Sequence, residues 1–154
     1  MFRLFLFFLM ILPSLALANT DNYKHLENLD APSAHLDDFY DEMSILRVID
    51  GDTFITDKDR IRLWGINAPE KNQPYYDVAT FALTKFLKTK VKCKHIDIDK
   101  YQRNIMQCMS LDGQDIGAMM VWTGMARDFS KYSGGYYSSE EQWAKKNRLG
   151  IWSE

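Results

Sequence analysis

Between Val48 and Glu70 the chain reads VIDGDTFITDKDRIRLWGINAPE and gathers acids and an arginine that could act together on a phosphodiester. Asp50, Asp52, Asn67 and Glu70 offer hard oxygen donors, and Arg62, joined later by Arg103, offers planar cationic forks. A hard divalent cation takes carboxylate, amide and backbone carbonyl oxygens, a set that Asp52, Asn67 and the Ala68 carbonyl provide together. A water attacking phosphorus needs a nearby base, and the dianion that forms needs cationic donors aimed at its oxygens. Arginine meets the second need because its fork grips phosphate bidentately. Other chemistries find no residues. His25, His35 and His95 lack zinc-site spacing, the two cysteines form no CxxC, and no GxSxG, P-loop or dinucleotide fingerprint occurs. Taken alone, the same acids and arginines also suit an ordinary turn and a solvated strand.

The elements around these residues set their positions. Asp50-Gly51-Asp52-Thr53 is a turn signal in which Gly51 is expected to supply a positive φ. It joins a strand over Met43–Ile49 to one over Thr53–Thr56, and Asp57-Lys58-Asp59 turns the chain into a third over Arg60–Ile66. Alternation in that strand puts Arg62 and Trp64 on one face and Ile61 and Leu63 on the other. Pro69 ends the ladder and leaves Glu70 on a loop. Pro74 opens a helix whose core face is Val78, Ala82, Phe86 with Ala79, Leu83, Leu87. Val91–Ile98 and Arg103–Leu111 form a hairpin, and Asp115 to Gly124 reads as a short helix. The Gly-, Ser- and Tyr-rich stretch from Ser130 to Tyr137 reads as a loop. A capping box of Ser138 and Glu141 starts a last helix, with Trp143, Ala144 and Leu149 facing inward and Gly150 ending it. Five short strands, expected antiparallel, with three helices make an α+β domain closed as a small barrel.

Length and charge divide the chain further. At 154 residues and 46% hydrophobic, the chain has room for one ordinary globular core. Residues 1–18 read as an export signal, since Arg3 precedes an apolar run and Ala16-Leu17-Ala18 suits cleavage before Asn19; the alternative is an uncleaved anchor. Residues 19–42 carry one Lys against seven Asp or Glu, a balance of −6, and read as a disordered acidic leader. Residues 43–154 carry 17 Lys or Arg against 14 acids, a balance of +3 that permits a polyanionic partner. In an oxidising compartment Cys93 and Cys108, on neighbouring strands, could pair; the other reading is two buried free thiols.

VIDGDTF, RLWGINAPE, DKYQR and the carboxy-terminal AKKNRLGIWSE, in this order and at these distances, resemble the thermonuclease or staphylococcal-nuclease-like family over roughly Ile45 to Glu154. The resemblance implies an OB-fold barrel of five strands with three helices, and an exported calcium-dependent endonuclease acting on DNA, with RNA left open as a further or alternative substrate. It places the calcium aspartate on Asp52 with Asp50 behind it, the general base on Glu70, and the phosphate clamp on Arg62 and Arg103. It implies contacts to the nucleotide from Lys100 and Tyr101, and stacking of a base on Tyr132, an interaction worth about 1 to 3 kcal/mol. Two positions depart from the family's pattern. Asn67 stands where a second calcium aspartate is usual, which removes a charge and implies weaker calcium affinity, and Gln102 stands where the DKYGR motif has glycine. The alternative reading is therefore a weakened nuclease-like domain that binds nucleic acid or a protein partner. The mature protein is expected to be a monomer, periplasmic or secreted, with no stable membrane association.

Overall fold

The computed structural model describes residues 40–153, so the expected signal at 1–18 and the leader from 19 to 39 lie outside the described residues. Five strands close a barrel in the order β1-β2-β3-β6-β5. They are β1 (Asp41–Val48), β2 (Thr53–Thr56), β3 (Arg60–Leu63), β5 (Lys90–Ile98) and β6 (Asn104–Met109). A two-stranded ribbon of β4 (Ile66–Asn67) and β7 (Arg127–Asp128) stands outside the barrel. The helices are α1 (Tyr76–Leu87), α2 (Ile116–Trp122), the single turn α3 (Ser130–Ser133) and α4 (Ser138–Lys146), followed by a 3-10 turn at Gly150–Trp152.

Alternation accounts for the barrel wall. Phe54, Ile61, Leu63, Val91 and Met106 are all buried, and α1 lays Ala79, Leu83 and Leu87 on the same core. Burying each large side chain stabilises the fold by about 1.5–3 kcal/mol. Val78, expected on that face, is instead 49% exposed, because the helix turns its Ala79 stripe to the barrel and Val78 falls at the edge.

Several expectations need correction. The barrel is mixed rather than wholly antiparallel, since β3 pairs parallel with β6 (Ile61 opposite Asn104, Arg62 opposite Ile105), with α1 and β5 lying between them in the chain. The first strand starts at Asp41, so Asp41 and Glu42 belong to the fold rather than to the leader. Asp41 lies opposite Cys93, and Lys90 Nζ sits 2.6 Å from Glu42 Oε1. The third strand stops at Leu63, and after a turn at Trp64-Gly65 the chain enters the separate ribbon. The stretch after Phe129 holds α3 rather than a plain loop.

The expected capping box does not form. Ser138 is already helical, Tyr137 holds the cap position without a side-chain bond, and the Glu141 carboxylate accepts from Asp128 N at 3.2 Å and Lys145 Nζ at 2.5 Å. The last helix ends at Lys146, ahead of Gly150. Ala144 is buried, whereas Trp143 is largely exposed and stacks on Trp122 at 5.8 Å.

Cys93 and Cys108 face each other directly across β5 and β6 and are joined as a disulfide, both fully buried. At the helix 116–122, Asp115 is a working cap: its Oδ1 accepts from Ala118 N at 3.0 Å.

Candidate active site

The DGD turn is built by packing. Gly51 does not take the expected positive φ; a Cβ there would stand 2.6 Å from the Ala68 Cβ and 2.8 Å from the Ala79 Cβ. Glycine therefore lets the turn press against both α1 and the segment that carries Asn67. Asp50 Oδ1 accepts from the Asp52 backbone N–H at 3.1 Å, which fixes the turn and orients its second acid.

Asp52 is buried, and three groups hold it. Its Oδ2 accepts from the Ala68 N–H at 2.9 Å and lies 3.0 Å from Arg62 Nη1, while its Oδ1 accepts from the Thr53 hydroxyl at 3.1 Å. Burial pushes its pKa up to about 6, against the opposing pull of Arg62 and of the Ala68 hydrogen bond. Arg62 is also buried. Its Nη1 donates to the Leu63 carbonyl at 3.2 Å and its Nη2 to Asn67 Oδ1 at 3.4 Å, so one guanidinium ties the DGD turn to the ribbon strand β4. Arg62 is thus already engaged by three protein oxygens, those of Asp52, Leu63 and Asn67, before any substrate arrives.

Asp99 aims the second arginine. Its Oδ1 accepts from the backbone N–H groups of Tyr101 and Arg103 at 2.8 and 2.9 Å, and its Oδ2 accepts from Arg103 Nε at 2.7 Å. Partial burial works to raise the Asp99 pKa, but the hydrogen bonds from Arg103 and Tyr101 outweigh it and hold the carboxyl below its usual range. Gln102, standing where the family's motif has glycine, takes the left-handed conformation at φ 59°, so the turn closes between Asp99 and Arg103 with its strain borne by a residue with a side chain. The Arg103 guanidinium lies 5.6 Å and the Lys100 ammonium 4.9 Å from the Tyr101 ring centre.

A groove of about 570 Å³ brings Arg62, Arg103, Lys100, Tyr101 and Tyr132 to one concavity. Phe129 also lines it, 4.7 Å from Tyr132 in an edge-on pair. Sequence reasoning missed Phe129, although its three-residue spacing from Tyr132 across the start of α3 was the available signal. Asn67 and Ala68 line a neighbouring cleft of about 460 Å³ on the other side of the ribbon. Glu70 is exposed on the loop after them, its backbone N–H donating to Gln73 Oε1 at 2.8 Å and its carbonyl accepting from Gln73 N at 2.9 Å. That exchange fixes the loop's backbone and leaves the Glu70 carboxylate facing water.

Among the described residues no cluster of three or more His, Cys, Asp or Glu side chains is assembled. Near the DGD turn the oxygen donors are the Asp52 carboxylate and the Asn67 amide, joined through the Arg62 guanidinium; with the Ala68 carbonyl they make the donor set expected from the sequence. Its chemistry fits a hard divalent cation, and a carboxylate raised by burial is one that added positive charge would stabilise in its ionised form.

Comparison with known proteins gives the chain its family. The family model described as staphylococcal nuclease homologue matches residues 60–154. The succinoglycan biosynthesis protein ExoI of Rhizobium meliloti is 32% identical over 117 residues, covering 68% of this chain and 61% of that protein. An uncharacterized endonuclease of Escherichia coli O157:H7 is 31% identical over 116 residues, 71% of this chain and 76% of its own length. The micrococcal nuclease of Shigella flexneri is 30% identical over 126 residues, 71% and 72% of the two chains. With the closed five-stranded barrel, the matching family model and these relatives in agreement, the chain belongs to the staphylococcal nuclease homologue family.

Proposed function

We propose that the protein is an exported, calcium-dependent endonuclease that hydrolyses phosphodiester bonds of DNA, and of RNA, by water attack on phosphorus. The observation that carries the reading is the convergence of Arg62 and Arg103 on one groove with nucleotide-sized room and aromatic walls. Two guanidiniums at one concavity suit a phosphate that gains charge as it reacts. Arg62 and Arg103 grip the scissile phosphate, Lys100 attracts the strand, and Tyr101 and Tyr132 take a base face each. Glu70, on its exposed loop, accepts the proton of the attacking water. Asp52, Asn67 and the Ala68 carbonyl hold the ion, with Asp50 orienting Asp52; calcium bound there supplies positive charge toward the phosphate oxygens.

Export is part of the same proposal. It is supported by Arg3, the apolar run and Ala16-Leu17-Ala18, and by a disulfide that persists only where thiols are oxidised. No helix among the described residues is long and apolar enough to cross a membrane, and the mature chain is proposed to work as a monomer. Amino-terminal sequencing of protein recovered outside the cytoplasm tests the export step, with Asn19 as the expected first residue.

Asn67 favours a second reading, a domain that binds nucleic acid or a protein partner without cutting, because the amide brings no charge to the ion. Incubating single-stranded DNA with the purified protein at millimolar calcium and in chelator separates the two. Cleavage confined to calcium supports the enzyme; salt-sensitive binding with no cleavage under either condition supports the binder.

A further inference from the structure

The ribbon of β4 and β7 divides two concavities. Ile66 and Phe129 line the groove that holds the paired arginines, while Asn67 and Arg127, directly opposite each other in the ribbon's register, line the cleft on its other side. The two concavities are connected at the reacting centre, because Arg62 of the groove donates to Asn67 of the cleft at 3.4 Å.

The cleft has the makings of a phosphate and sugar site. The Arg127 guanidinium lies 4.2 Å from the centre of the Trp152 ring, and among the described residues it has no carboxylate partner. Stacking on a ring face fixes the plane of a guanidinium while leaving its N–H edge for an anion. Lys145 Nζ sits 4.4 Å from the same ring centre, but it is paired with Glu141 at 2.5 Å, which leaves Arg127 as the cation of the cleft. The opposite wall is the loop of Gln73, Pro74 and Tyr75, pinned to the chain's end by the 2.5 Å hydrogen bond between the Tyr75 and Ser153 hydroxyls. A volume of about 460 Å³ admits one nucleotide unit.

We propose that this cleft is a second nucleotide subsite, in which Arg127 binds the phosphate next to the scissile one, on the side away from the Tyr101 and Tyr132 groove. The inference rests on the polynucleotide reading and deepens it. A strand crossing the ribbon fills both concavities and presents an internal phosphate to Arg62, so the enzyme favours substrates with nucleotides on both sides of the cut. That is an endonuclease's requirement.

The test is binding by the full chain in chelator, with a fluorescein-labelled thymidine octamer and with thymidine 5′-monophosphate as displacer. Arg127→Ala is expected to weaken the octamer roughly fivefold, leave the mononucleotide unchanged, and lower the octamer's salt slope by about 0.7, the share of one phosphate contact on a single strand. Arg127→Lys keeps most of the slope. Because Arg127→Ala also removes packing from Trp152, Pro74→Glu serves as an independent variant: it adds a carboxylate to the opposite wall without touching that ring, and the same octamer-selective loss is expected. Equal losses for both ligands, or no loss for either variant, overturn the subsite. A parent chain that binds neither octamer nor mononucleotide overturns the polynucleotide reading itself, a result distinguishable from failure of the cleft alone.

Discussion

At Asp52 the fold accepts an electrostatic cost that the proposed chemistry needs. Its pKa, raised by burial to about 6 from an ordinary 3.8, means the folded state holds a proton there more tightly than the unfolded chain does. Stability from this group is therefore fully present below about pH 4 and is lost as pH rises toward 6, above which the ionised acid is a constant burden. Asp52→Asn keeps the shape and removes the titration. Chemical denaturation of this variant is expected to lack the fall in stability between pH 4 and 6 and to exceed the parent above pH 6; an unchanged pH slope contradicts the assignment. Asn67→Asp adds the missing charge beside the same carboxylate and is expected to lower the calcium concentration for half-maximal cleavage about tenfold, as read from a calcium titration. The acids and arginines were legible because their types and spacing are chemical. Their mutual arrangement was not: nothing in alternation shows that Arg62 is buried with its fork already engaged by Leu63 and Asn67, because that depends on where the chain turns after Leu63.

Elements were legible where one local rule decides them. Helix α1 follows its apolar spacing, β5 and β6 follow theirs, and Asp115 caps α2 as its type predicts. Expectations failed where a distant partner decides. Glu141 has the spacing for a capping box, yet Asp128 and Lys145 compete for its carboxylate and win. The parallel pairing of β3 with β6 depends on closure of the whole barrel. The turn signal predicts a conformational role for Gly51, whereas Ala68 and Ala79 leave no room for a side chain there. Gln102 belongs to the same scale. A left-handed residue other than glycine costs about 1 kcal/mol, so Gln102→Gly is expected to leave cleavage intact and to change stability by no more than about that amount. Gln102→Val, whose branched Cβ resists φ 59°, is expected to destabilise the turn and to weaken DNA binding as Arg103 loses its aim. Denaturant midpoints and binding curves for the pair check both.

For the whole molecule, the disulfide links compartment to stability. Cys93 and Cys108 are 15 residues apart, and closing a loop of that size is worth about 3 kcal/mol on a chain-entropy estimate. The Cys93→Ser, Cys108→Ser double variant is expected to fold, since β5 and β6 pair along their length without the bond, but with a denaturation free energy lower by about that amount. The barrel also explains how the proposed site is assembled. Closure brings β3 beside the loop after β5, so Arg62 and Arg103, far apart in sequence, line one groove, and Arg62 reaches from it to Asn67 of the ribbon. The central claim is that this site hydrolyses phosphodiesters with Glu70 as the base. Its most direct test is the single-turnover cleavage rate of single-stranded DNA in calcium, parent against Glu70→Gln, with DNA binding in chelator measured on both. Calcium-dependent cleavage by the parent, a rate about 10²–10⁴-fold lower in the variant and equal binding by the two are predicted. Equal rates in parent and variant, or no cleavage by the parent at any calcium concentration, contradict it.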